Sequence, residues 1–115
     1  MALDRIIRWA SPLDAPPNAA LGALCEDYTR GLAPPPHWGA GRWNVTLPGE
    51  IRSALHNFDA RRAGLYEPGR ARCIEVWRDD ESVYVMTRSA DEITNAVAEG
   101  LAALVARHWQ GTRET

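Results

Sequence analysis

ARCIEVWRDDESVYVMTRSADEITNAVAEGLAALVARHWQ, residues 71–110, decides the fold. Its first half alternates apolar and polar residues on both sides of Asp79-Asp80-Glu81, the pattern of two antiparallel strands joined by a tight turn. A two-residue loop at Asp80-Glu81 and a four-residue loop at Asp79–Ser82 predict the same register. Val76 faces Val85, and Trp77 faces Tyr84. One face then carries Ile74, Val76, Val83 and Val85, and the other Cys73, Glu75, Trp77, Tyr84 and Met86. The β-branched set is the better core face. The mixed face stays half exposed unless the N-terminal half of the chain covers it.

The second half of the stretch switches to helical period. Ser89-Ala90-Asp91-Glu92 reads as a capping box opening a helix over about 90–110. Ile93, Val97, Leu101, Leu104, Val105 and His108 form its apolar stripe. Gly100 lies on that stripe. It costs roughly 1 kcal/mol in helix propensity, which predicts a close approach to the sheet. Ala96, Ala102, Ala103 and Ala106 make a small-residue flank able to accept a second helix or a second subunit.

Upstream the signals are shorter. Leu3 to Trp9 fits an edge strand or one helical turn. Asn18 is a plausible N-cap for a first helix, with Leu21, Leu24, Cys25 and Tyr28 on one face and Gly31 as its stop. Residues 33–41, with Pro34-Pro35-Pro36 and two glycines, read as a stiff connector that cannot be helix or central strand. Arg42 to Leu47 is a candidate strand. A second helix over about Glu50 to Ala63 buries Ile51, Ala54, Leu55 and Phe58. The expected architecture is one α+β domain over residues 1–115. Its order is (β)-α-β-α-β-β-α, with helices packed on a mainly antiparallel sheet of three to four strands.

The totals narrow the class. The chain has 115 residues, 45% apolar and 24% charged, enough for one real core. It carries no apolar run long enough for a bilayer and no leader-like N-terminus, so a cytoplasmic protein is expected. Cys25 and Cys73 show no metal-binding spacing and read as two buried thiols in a reducing compartment. All 13 basic residues are arginine, and the Ala/Gly/Pro-rich composition suggests a GC-rich bacterial coding genome. The formal net charge of −2 argues against bulk nucleic-acid binding.

Three constellations could carry chemistry. His56, Asp59 and Cys73 are the only nucleophile–base–orienter set, but no oxyanion-hole pattern accompanies them, and the plainer reading is a surface histidine and a strand thiol. Arg61, Arg62, Arg70 and Arg72 gather around Tyr66 and could fork onto an anion, although an ordinary charged loop is the plainer reading. Asp79, Asp80 and Glu81 supply too few fixed oxygens for a cation and read as a solvated turn, or as a negative knob on a docking surface. No catalytic residue, cofactor or metal is expected. The five tryptophans are a high load for this length, and partly exposed Trp and Tyr beside Arg are the types that dominate interface hot spots. The expected function is therefore non-catalytic. An adaptor, chaperone or immunity-type protein would hold a protein partner, or a second copy, through Trp77, Tyr84, Asp79, Asp80 and Glu81. A small ligand-binding domain or enzyme near His56, Asp59 and Cys73 is the alternative.

Overall fold

The hairpin forms in the predicted register. In the computed structural model, which describes residues 2–47, 72–88 and 90–114, β4 (Cys73–Asp79) pairs antiparallel with β5 (Ser82–Arg88). Val76 lies opposite Val85 and Trp77 opposite Tyr84. Asp80 takes the left-handed conformation that the two-residue loop needs, with φ 54°, which Asp tolerates better than most residues.

The other described elements are β1 (Ala2–Arg8), α1 (Asn18–Tyr28), β2 (His37–Gly39), β3 (Arg42–Thr46), α2 (Glu92–His108) and β6 (Thr112–Arg113). The strands build one six-stranded antiparallel sheet in the order β2-β3-β4-β5-β1-β6. The α+β class agrees with expectation, but the sheet is larger than the predicted three to four strands. The two additions are short. β2 hides at the end of the Pro-rich connector, joined to β3 through a two-residue turn in which Ala40 and Gly41 both have positive φ. β6 follows the last helix with only two residues. Neither is long enough to show a period of two. Of the two readings open for the N-terminal segment, strand or helical turn, it takes the strand, but β1 is not at the sheet edge, because β6 pairs with Ile7 and Arg8 on its outer side. The helix predicted over Glu50 to Ala63 lies outside the described residues.

Both described helices pack on one face of the sheet. Ile74, Val76, Val83 and Val85 are fully buried there, together with Ile7 and Val45 from neighbouring strands. α2 contributes Ile93, Val97, Ala98, Leu101, Ala102 and Val105. Burying each large aliphatic side chain is worth roughly 1.5–3 kcal/mol, so this layer dominates the stability. The stripe ends earlier than predicted, because His108 is exposed. The start also differs. Asp91, not Ser89, is the N-cap, and its carboxylate accepts the Thr94 backbone N–H at 2.8 Å.

α1 is anchored by a close approach. A Cβ on Gly22 would sit 2.4 Å from the Trp43 ring, so only glycine lets the indole lie against the helix. Trp43 Nε1 donates to the Asn18 carbonyl at 2.7 Å. Asn18 does not cap the helix as predicted. Pro17 holds the N-cap position, and Asn18 Oδ1 accepts the Arg78 backbone N–H at 3.3 Å. Gly100 does permit close packing, but against α1 rather than the sheet. A Cβ there would meet the Tyr28 hydroxyl at 2.0 Å.

One buried charge escaped the sequence pattern. Arg5 points under α2 and is 3% exposed. Its Nε donates to Glu99 at 2.7 Å, Nη1 reaches Thr87 Oγ1 at 3.3 Å, and Nη2 reaches Asn95 Oδ1 at 3.2 Å. Arg113 holds the other Glu99 oxygen at 2.6 Å. A buried guanidinium is tolerable only when its donors are paired in this way.

Candidate interaction surface

The period of two that buries Val76 and Val85 turns their neighbours to the opposite face, which neither described helix covers. Cross-strand pairing arranges that face in rows. Arg42, Trp77, Tyr84 and Ile6 lie side by side on β3, β4, β5 and β1. Asn44, Glu75, Met86 and Asp4 form the next row. Trp77 and Tyr84 stack almost parallel, with ring centroids 5.0 Å apart and planes 8° off. The Arg42 guanidinium lies 4.2 Å from the Trp77 centroid. Arg42 and Tyr84 thus flank Trp77 from the strands on either side, fixing a cation–π–π ridge that is half-buried.

Glu75 locks the ridge in place. One of its carboxylate oxygens accepts Arg42 Nη1 and the other accepts Arg88 Nε, both at 3.0 Å. Arg88 itself is 60% exposed. Among the described residues, neither the Trp77 indole N–H nor the Tyr84 hydroxyl has a hydrogen-bond partner within the chain. Met86, in the next row, is buried despite its place on this face.

The acidic tip extends the same hairpin. Asp79 and Asp80 are exposed and Glu81 is half-buried. The tip is held from behind. Arg78 donates to the Asp80 carbonyl at 3.0 Å and to the Ala15 carbonyl at 3.2 Å, with a further bond to the Pro12 carbonyl. The Trp9 backbone N–H donates to the Glu81 carbonyl at 2.9 Å. Trp77, Tyr84, Asp79, Asp80 and Glu81 therefore lie on one hairpin whose tip is hydrogen-bonded in place. Glu75, which the alternation already placed on this face, belongs to the surface too; Arg42 was missed, because nothing in the local sequence says that β3 would align it beside Trp77.

The other candidate sets are not assembled in the described residues. His56, Asp59, Arg61, Arg62 and Arg70 lie outside them. Arg72 instead pairs with Asp91, Nε to Oδ2 at 3.1 Å, with the carboxylate 1% exposed. Asp91 thus serves both as helix cap and as counter-ion. Cys73 is a free, half-buried thiol with its Sγ 3.9 Å from Asn44 Oδ1. Burial raises its pKa, with the Glu75 charge adding to the effect, even though a hydrogen bond to Thr46 works the other way. That direction is the opposite of what an activated thiolate needs. Cys25 is a core thiol that burial pushes up to about 12.

A groove of about 430 Å³ lies elsewhere, where Arg8, Trp9, Asp14, Trp109, Gln110 and Thr112 meet. Cys73 does not line it. Trp9 Nε1 donates to the Trp109 carbonyl at 2.8 Å, which makes its two tryptophans structural. Among the described residues, no group of three or more His, Cys, Asp and Glu side chains could hold a metal ion. None of their helices is long and apolar enough to cross a membrane. Comparison with known proteins places the chain in no family: no family model, no curated protein and no solved structure matches it.

Proposed function

We propose that this is a small cytoplasmic, non-catalytic bacterial protein that works by holding a protein partner on the sheet face that neither described helix covers, as an adaptor, chaperone or immunity-type protein does. The observation that carries the reading is the Arg42–Trp77–Tyr84 ridge. A stacked, cation-capped pair of half-exposed aromatics has already lost much of its rotamer freedom, so a partner meets it at little further entropic cost. Trp, Tyr and Arg are the residues that supply most of the binding energy at interfaces. The adjacent Asp79–Glu81 tip provides a charged rim suited to steering.

The same geometry argues against single-stranded nucleic acid. Base stacking needs a free aromatic face, and Trp77 has Arg42 on one side and Tyr84 on the other. The test is affinity isolation from the source cell with wild-type and Trp77→Ala protein, followed by kinetics on the captured partner. Trp77→Ala is expected to weaken binding about 30-fold or more, mainly through faster dissociation. Neutralising Asp79, Asp80 and Glu81 is expected to slow association and flatten its salt dependence. Unchanged binding by Trp77→Ala protein that melts normally would reject this surface.

A further inference from the structure

We infer that the sheet face that neither described helix covers is self-complementary and that its occupant is a second copy of this chain, packed face to face about a two-fold axis lying in the sheet plane and running across the strands. The inference rests on the reading of this face as an interaction surface and names the partner. The argument is one of charge and register. Along β4 and β5 the face is polarised. Asp79 and the exposed Asp80 stand at the hairpin end, and Arg88, 60% exposed, stands at the other. Between them lie the Trp77–Tyr84 row and the Glu75–Met86 row.

A two-fold axis between those central rows exchanges the ends. The acidic tip of each copy then lies over Arg88 of the other, and Arg88 can release one Glu75 oxygen to meet it. The same operation sets the unpaired Trp77 indole N–H over the second copy's Glu75 carboxylate. Each contact occurs twice, as an isologous interface requires. A parallel arrangement, with the axis along the strands, would instead place tip on tip and Arg88 on Arg88, which like charges disfavour.

The size of the face sets the strength. On the four long inner strands, β3, β4, β5 and β1, the spacing of strands and side-chain rows gives on the order of 500 Å² per copy. The total of about 1,000 Å² is the lower end for a specific interface. The dimer is therefore weak and concentration-dependent, with a dissociation constant on the order of tens of micromolar.

Sedimentation equilibrium of the full chain from about 1 to 500 µM, spanning that constant, reads the association directly. The expected result is a monomer–dimer equilibrium that weakens at high salt. Reversing the tip (Asp79→Arg with Asp80→Arg) and reversing the far end (Arg88→Glu) should each weaken the dimer about three- to five-fold or more. The triple variant should recover most of the loss, because opposite charges face each other again. Trp77→Ala should weaken it at least tenfold. A monomer throughout the range, a dimer that neither reversal weakens, or a triple variant weaker than both parents would overturn the inference. Melting of the Trp77→Ala protein separates the two levels. If the wild type is monomeric and the Trp77→Ala protein melts normally, the second copy is rejected while the surface remains available to a different partner. If the melt collapses, Trp77 belongs to the core and both readings fall.

Discussion

The two faces of one sheet are built from the same strands, one residue out of phase, and they behave as different materials. Under the helices, Val76, Val83 and Val85 are fully buried among Leu101, Val97 and Ile7. On the other face their immediate neighbours Trp77, Tyr84 and Glu75 are half-buried and held by stacking and ion pairs. The first face derives its energy from area removed from water and leaves nothing exposed to a partner. The second spends less on the fold and keeps ordered donors and aromatic edges at the surface. Because strand side chains alternate strictly, a one-residue shift in register would exchange the two roles.

The sharpest way to break this contrast is stability measurement on both faces. Leu101→Ala, at the centre of the covered face, should cost about 2–5 kcal/mol in denaturant titration, the range for a large-to-small change in a packed core. Trp77→Ala removes a larger side chain but should cost only about 1–2 kcal/mol, because a half-exposed stacked pair contributes little beyond its partial burial. Equal losses would show that the second face is core as well.

Arg5 is the polar intruder on the covered face, and its replacement sharpens the comparison. Arg5→Ala should cost about 2–3 kcal/mol, somewhat less than a fully buried pair, because Glu99 is 56% exposed and can be rehydrated. Arg5→Met keeps the apolar stem. If Arg5→Met is as stable as the wild type, the guanidinium fixes how α2 sits and adds no net stability.

The smallest effect expected is in pH. Burial raises the Glu99 pKa, but hydrogen bonds from Arg113 and Arg5 and their charges outweigh it and hold it below the usual carboxylate value. The folded state therefore binds this proton more weakly than the unfolded chain. The stabilisation is present above the unfolded pKa of about 4.3 and is lost as pH falls through the depressed value. Glu99→Gln should flatten that part of the acid limb and cost under about 1 kcal/mol at neutral pH, given the exposure of the pair. An unchanged acid limb would show that the Glu99 bridges to Arg5 and Arg113 carry no net stability.

The long elements were legible because their signals are local and repeated. Seven-residue alternation on each side of Asp79-Asp80-Glu81 set the hairpin, its register and its buried face. Helical period over Ile93 to Val105 set the last helix. Both follow from where Cβ atoms point at periods of 2.0 and 3.6. The candidate surface was partly legible for the same reason, since Trp77, Tyr84 and the tip lie on one hairpin.

Tertiary structure alone decided the rest, wherever the deciding contact lies far away in the chain. β2 and β6, of three and two residues, exist because β3 and β1 offer them an edge. Arg42 reaches Trp77 across 35 positions, through the pairing of β3 with β4. Arg5 is buried because Glu99, Thr87 and Asn95 converge on it from the opposite half of the molecule. Gly22 and Gly100 earn their places only when Trp43 and Tyr28 come to rest on them. Periodicity fixes which way a side chain faces, and only the packed sheet fixes what it meets.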